Sequence, residues 1–239
     1  MACTRSIAWT VQRKMGQGMK TVIFDLDGTL ADTSGDLIDA TNACFEAMGV
    51  GPQLAYGQDA ALSLHGARAM LRVGLKRIDR EGDEVELERQ YIEFMHHYWR
   101  QLHKHSFLFD GAMEAVSELK HRGYCVGICT NKPEAMAEEL LRQMDVRHEF
   151  ASLIGADTLP VRKPHPTPVI EAAKRAGGDP ARSVLIGDTT TDREAARAAG
   201  IPSILVTFSP HGRSVEALQP DALLEKFSDL PDLVQSLIG

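Results

Sequence analysis

Residues Thr21-Val22-Ile23-Phe24 run apolar and β-branched without a break and are stopped by a carboxylate, Asp25. Such a run predicts a strand buried on both faces of a sheet. A charge at its end costs several kcal/mol, roughly, unless a cation or hydrogen-bond donors meet it. Because side chains alternate along an extended chain, Asp27 shares the face of Asp25 while Leu26 turns to the core. Gly28 permits a sharp exit, and Thr29 can hydrogen-bond locally in the turn. Two carboxylates so placed suit a hard divalent cation such as Mg2+, which takes few protein carboxylates and leaves positions for water and phosphate oxygens. A carboxylate, a metal and an open coordination position are the parts of a phosphoryl-transfer site. The plainer reading makes Asp25 a turn cap and Asp27 a solvated loop residue. It leaves a charge directly after four buried-type residues unexplained.

Downstream, helical periodicity comes first and strand–helix alternation second. Asp32-Thr33-Ser34 can cap a helix carrying Leu37, Thr41, Cys44, Phe45 and Met48 on one side, ended by Gly49-Val50-Gly51-Pro52. A second helix is predicted over 67–78. A third follows the turn at Glu81-Gly82-Asp83, with Leu87, Tyr91, Phe94, Met95, Tyr98, Trp99 and Leu102 at steps of three and four. Residues 33–105 contain no good strand and read as a small helical domain inserted above the sheet. From Phe107 onward, strands are expected at 125–130, 150–155, 183–188 and 201–207, with a short edge strand at 222–224. Helices are expected at 111–122, 133–144, 166–176, 192–199 and 229–238, and a turn at Gly177-Gly178-Asp179-Pro180. This alternation implies parallel pairing with right-handed crossovers, and ligands beyond the carboxyl ends of the strands. The expected fold is α/β: a Rossmann-like doubly wound parallel core over 19–32 and 106–239, a helical cap over 33–105, and a frayed tail over 1–18.

The balance of 26 basic and 33 acidic residues, net −7, argues against nucleic acid or an anionic membrane as the main partner. No apolar run approaches the ~18 residues needed to cross a bilayer. The four cysteines are scattered. Cys125 and Cys129 share one apolar run without a zinc or C-x-x-C spacing, so they read as small hydrophobes in a reducing, cytoplasmic setting. Residues 1–20 carry four basic residues and no acidic one, but no apolar stretch of signal-peptide type. Oligomeric state is not legible.

Three further strand ends carry polar groups. Thr130-Asn131-Lys132-Pro133 sets a hydroxyl and an amide beside a helix amino end, which suits either an anion cradle or a plain N-cap. Lys163 lies in Arg162-Lys163-Pro164-His165-Pro166, where the prolines restrict how the chain enters the next helix. Gly187-Asp188 closes a strand, with Asp192 one turn into the following helix. Gly187 reads as allowing close approach to a metal or phosphate, and Asp192 as an orienting neighbour.

These segments resemble the motifs of the haloacid dehalogenase (HAD) superfamily. Asp25 to Leu30 matches D-x-D-G-T-L, Lys163 sits in a K-P-x-P pattern, and Gly187 to Asp192 matches G-D-x-x-x-D, in family order around Thr130. The resemblance implies Thr130 and Asn131 as phosphate ligands, and Lys163 offsetting charge on the nucleophile and phosphoryl group. It implies Mg2+ held by Asp25, the Asp27 backbone carbonyl and Asp188. Asp27 is placed to protonate a poor alkoxide leaving group and then to activate water, which argues for phosphate rather than halide chemistry. Asp25 would form an aspartyl-phosphate. Ser63 to Leu71 resembles the cap loop of phosphoglycolate phosphatases, so Arg68 and His65 are expected at a substrate carboxylate. A small phosphorylated metabolite, best guessed as 2-phosphoglycolate, is the expected substrate. A phosphosugar mutase, a pyrophosphatase or a non-catalytic phosphate-binding protein are the alternatives. His96, His97, His103 and His105 share no metal-ligand spacing and read as surface.

Overall fold

The Thr21–Phe24 run forms the central strand that its composition predicts, and the rest of the sheet is laid down on either side of it. A computed structural model describes residues 18–239, so the expectation for 1–18 lies outside the described residues except at Gly18. In chain order come β1 (Met19–Phe24), β2 (Ala31–Asp32), α1 (Ser34–Ala47), α2 (Ala60–Ser63), α3 (Ala67–Arg77), α4 (Glu84–Arg100) and β3 (Phe107–Leu108). They are followed by α5 (Ala112–His121), β4 (Cys125–Cys129), α6 (Glu134–Gln143), β5 (Ser152–Ile154), α7 (Thr167–Arg175) and β6 (Gly178–Gly187). The chain ends with α8 (Thr190–Ala199), β7 (Ser203–Val206), β8 (Ala222–Leu224) and α9 (Leu230–Ile238).

Six strands form one parallel sheet in the order β5-β4-β1-β6-β7-β8. The chain leaves β1 to one side for β4 and to the other for β6, so the crevice of a doubly wound sheet opens at the carboxyl end of β1. Val22, Ile23, Phe24, Val184, Leu185 and Ile186 are fully buried, as continuous apolar runs in a sheet covered on both faces must be. β8 is the edge strand expected at 222–224.

Residues 33–105 contain helices and no strand of the main sheet, and the paired β2 and β3 bracket them. Ala31 faces Leu108 and Asp32 faces Phe107 in antiparallel register, so the chain departs from the core and returns to it side by side. Asp36, fully buried on α1, ties this junction by accepting from the backbone N–H groups of His105 and Ser106 at 2.7 and 3.1 Å. Neither β2 nor β3 was legible in advance, because two-residue strands carry no periodicity.

Three expectations are corrected. Of the turn placed at 177–180, Gly177 is a turn residue but Gly178 to Pro180 belong to β6, which pairs with Met19 across a register shift. The Asx chemistry that suggested the turn is present, since Asp179 Oδ1 accepts from Ala181 N at 3.0 Å, but it forms an irregularity in a strand. Trp99 is not part of the buried stripe of α4: it is 48% exposed, on the side away from Phe94 and Tyr98. Thr29 bonds across the sheet ends rather than locally, its hydroxyl donating to Asp188 Oδ1 at 3.2 Å.

Candidate active site

The carboxyl ends of β1, β4 and β6 bring the polar residues of four distant segments together. Asp25 is fixed by its own backbone, its N–H donating to Ile186 O at 2.8 Å, so the strand continues into the site. Asp188 leaves the adjacent β6 alongside it. Between them, the Lys163 ammonium lies 2.9 Å from Asp25 Oδ1 and 2.6 Å from Asp192 Oδ1, and the lysine is 2% exposed. The contact to Asp25 is off the line of a hydrogen bond, so the attraction is between charges and leaves Asp25 Oδ1 without a donor.

Asp192 is hydrogen-bonded through both of its carboxylate oxygens. One oxygen receives Lys163, and the other takes the Thr189 N–H at 3.0 Å and the Thr189 hydroxyl at 2.5 Å, capping α8. A Cβ on Gly187 would lie 2.4 Å from the Asp192 side chain. A side chain at position 187 is therefore excluded by Asp192 itself. Gly28, at φ +79°, is constrained twice over, since a Cβ there would lie 2.4 Å from Asp188 Oδ2 and 2.6 Å from Leu64 Cδ2. The loop holding Leu64 and His65 is thus packed directly over the carboxylates.

Oxygens of Asp25, Asp188 and Asp192 lie within 4.8 Å of one another. With Asp192 committed, Asp25 and Asp188 each keep one buried oxygen, Oδ1 and Oδ2 respectively, that lacks a hydrogen-bond partner. Burial pushes the Asp25 carboxyl up to about 7 against the pull of Lys163, and burial with the charges of Asp192 and Asp25 drives Asp188 up as well. Two such oxygens and an excess of negative charge fit a hard divalent cation. The Asp27 carboxylate stands outside this group: its Oδ1 receives the Thr33 hydroxyl at 2.6 Å and the Lys132 ammonium at 2.8 Å.

Thr130 continues β4 by donating its N–H to Ile154 O at 2.9 Å, and its hydroxyl oxygen accepts from Lys132 N at 3.1 Å. Asn131 donates from its amide to the Lys163 carbonyl at 3.0 Å, so it braces the lysine loop. At the amino end of α6 the Glu134 N–H is taken by Asp157 Oδ1 at 2.7 Å, which narrows the cradle expected there. Arg68 lines the same cavity, of about 600 Å³. Its guanidinium is bidentate to Glu88 at 2.8 and 2.9 Å and lies 3.6 Å from the centre of the Tyr91 ring. His65 faces His211, with ring centroids 5.3 Å apart.

Lys132, Tyr98 and His211 were not identified from the sequence. Lys132 is 5% exposed and bonds both Asp27 and the Tyr98 hydroxyl of α4, joining the helical segment to the core. Burial works against its charge, but Asp27 and Tyr98 outweigh it and its pKa rises. Burial pushes the Tyr98 hydroxyl up to about 12. The available signal was a lysine two residues beyond a buried strand, as informative as Lys163 in its loop. Nothing local marked Tyr98 or His211. Cys129 is fully buried and its thiol is pushed up to about 12, in keeping with a small hydrophobe. None of the described helices is long and apolar enough to cross a membrane.

A family model for haloacid dehalogenase-like hydrolases matches residues 22–206, which include every motif above. The chain is 35% identical over 218 residues to a phosphoglycolate phosphatase of Agrobacterium fabrum, covering 91% of this chain and 93% of that one. It is 39% identical over 209 residues to a phosphoglycolate phosphatase of Xanthomonas campestris pv. campestris, covering 87% and 92%. A crystal structure described as a predicted phosphoglycolate phosphatase of Haemophilus somnus superposes with a TM-score of 0.80 at 26% identity, over 91% and 98% of the two chains. The chain belongs to the haloacid dehalogenase-like hydrolase family. Within it, the chain falls among the phosphatases, resembling those that act on phosphoglycolate.

Proposed function

We propose that the chain hydrolyses a small phosphomonoester, with 2-phosphoglycolate the best candidate, through an aspartyl-phosphate on Asp25 and with Mg2+ as cofactor. The observation that carries this reading is the pair of unpartnered buried oxygens, Asp25 Oδ1 and Asp188 Oδ2, set beside a fully buried ammonium. Asp25, Asp188 and the Asp27 carbonyl would hold the cation, which supplies charge neutralisation and Lewis acidity at the phosphoryl oxygens. Asp25 attacks phosphorus in line. Lys163, Thr130 and Asn131 stabilise charge spreading over the equatorial oxygens. Asp27, fixed by Thr33 and Lys132, protonates the leaving alkoxide and then activates water. The helices of 33–105 act as a cap that excludes bulk water, with Leu64 and Tyr98 as their contacts to the site.

Phosphate release should be measured from 2-phosphoglycolate and a panel of phosphorylated metabolites, with Mg2+ and then with EDTA. Release that depends on Mg2+ is expected, and silence across the panel would sink the proposal. The carboxylate of the substrate is assigned to Arg68 and His65, so Arg68→Ala should raise KM for 2-phosphoglycolate roughly tenfold while sparing a neutral phosphoester. Equal losses on both would mean that the Arg68–Glu88 pair serves only the packing of α3 on α4.

Metal-free stability should also depend on pH in a defined direction. The folded-state pKa of Asp25 lies at about 7, above its ordinary 3.8, so the folded chain retains a proton that the unfolded chain has lost. Stability present below pH 4 is therefore lost as pH rises through about 7. A cation that pairs with the carboxylates restores it. At Mg2+ about 100-fold above its Kd, Tm should rise by roughly 5–10 °C near pH 8 and by less near pH 5. A thermal shift independent of pH would contradict the assignment of Asp25 as ligand.

A further inference from the structure

Two imidazoles face each other across the cavity of the site. His65 lies in the loop between α2 and α3, and His211 follows β7 on the core side, with ring centroids 5.3 Å apart and planes at 64°. Both line the cavity, and among the described residues no hydrogen bond or ion pair engages either ring. The chain nevertheless fixes where His211 stands. Its backbone N–H donates to Ser209 Oγ at 3.3 Å, its carbonyl accepts from Ser214 Oγ at 2.7 Å, and Ser209 itself is buried. A turn braced by serine hydroxyls in this way aims the ring that it carries.

Most other basic groups of the cavity are already committed. Lys163 stands between Asp25 and Asp192, Lys132 holds Asp27, and Arg68 is bidentate to Glu88. Each must share or give up a carboxylate of its own chain to take one from a substrate. Arg162, exposed and without an acidic partner among the described residues, is set on the far side. It follows β5, two strands from β1, whereas His211 follows β7, two strands from β1 in the other direction. Position favours the histidines. Leu64 comes within 2.6 Å of where a Cβ on Gly28 would lie, beside Asp188, and His65 is the next residue. Consecutive Cα atoms are ~3.8 Å apart, so the imidazole pair begins one residue from the carboxylates. Burial, and then the charge of His65, hold the His211 imidazole below its ordinary range. An opposite charge received between the rings favours the protonated form.

We propose that His211 is a specificity-determining residue of this site, completing with His65 a pincer of two imidazoles for the carboxylate of the substrate. The inference rests on the phosphomonoesterase reading above and adds to Arg68 and His65 a group supplied by the core. Each ring donates an N–H to a carboxylate oxygen, and even a neutral imidazole keeps one such donor. In 2-phosphoglycolate a single methylene separates the carboxyl carbon from the ester oxygen, so the carboxylate must be met close to the phosphoryl group. That is where the pair stands. One ring belongs to the helical segment and one to the core, so the bound anion also ties the two together over the substrate.

Phosphate release from 2-phosphoglycolate and from 2-phosphoglycolamide, its neutral isostere, tests the assignment, with the ratio of the two kcat/KM values as the readout. The wild type should prefer the acid. In His211→Ala the ratio should fall roughly tenfold, as for a lost hydrogen bond to a charged group, and the loss should lie in KM for the acid rather than in kcat. His65→Ala should move the ratio the same way. His211→Lys, which returns a cation, should recover most of it, and a merely structural role for His211 predicts no such rescue. A wild type indifferent to the charge overturns the inference and leaves the phosphatase reading standing. So does a ratio that His211→Ala leaves unmoved, whether both esters lose equally or neither does, or one that responds to Arg162→Ala instead. Release from neither ester by the wild type with Mg2+ present, and from no other phosphorylated metabolite, removes the phosphatase reading and this inference with it.

Discussion

Asp25→Asn is expected to lower kcat by roughly four orders of magnitude or more, the loss typical of a removed nucleophile. The amide keeps the shape of the carboxylate and the backbone bond from Asp25 N–H to Ile186 O, so the strand end stays in place. What disappears is the oxygen proposed to attack phosphorus, together with one of the two buried oxygens proposed to hold the cation. Stability should move the other way. Asp25 is 8% exposed and its charged form is disfavoured by burial, so the neutral variant should melt no lower than wild type without metal and should lose most of its Mg2+ response. Steady-state kinetics and thermal melts of the same preparation separate the two effects. A variant that turns over at near wild-type rate would remove the aspartyl-phosphate and everything built on it.

Lys163→Met is expected to be the most destabilising single change at the site, by roughly 3–5 kcal/mol, as for a buried ion pair that loses one partner. Its ammonium lies 2.9 Å from Asp25 and 2.6 Å from Asp192, and burial of the charge is outweighed by these two carboxylates so that its pKa rises. Methionine fills the volume but leaves three buried carboxylates facing each other. For a chain of this size the loss corresponds to a fall in Tm of roughly 6–20 °C. Asp192→Asn in the same chain should recover a large part of it, because the amide no longer needs the cation and can still accept from Thr189. Mg2+ should recover a further part. Turnover should stay low in both variants, since neither restores a cation at the transferring phosphoryl group. Full stability in Lys163→Met alone would mean that the carboxylates are protonated or apart in solution.

Much of this site was legible one residue at a time. The run Thr21–Phe24 stopped by Asp25 specified a buried strand with a charge to be met, and the apolar runs ending at Thr130 and Asp188 repeated the pattern. Alternation of strand and helix gave parallel pairing, and β-branched composition chose the strands that lie at the centre. Periodicity erred where it had to choose a direction. Trp99 follows Met95 by four residues and could be assigned to the buried stripe, yet the helix turns it to solvent. Gly187 was recognised as a close approach, but the group that approaches is Asp192.

By itself the sequence determined the fold class, the order of the elements and the identity of the carboxylates, because burial and side-chain alternation are local properties of the chain. Only the tertiary structure decided how those charges are shared. Lys163 stands between Asp25 and Asp192, Lys132 joins Asp27 to Tyr98 of α4, and Arg68 is held by Glu88. Partners from 20 to more than a hundred residues apart meet through strand order and through the return of the helical segment onto the sheet. Electrostatic energy depends on those distances and on the water they exclude, and neither is written into any stretch of sequence.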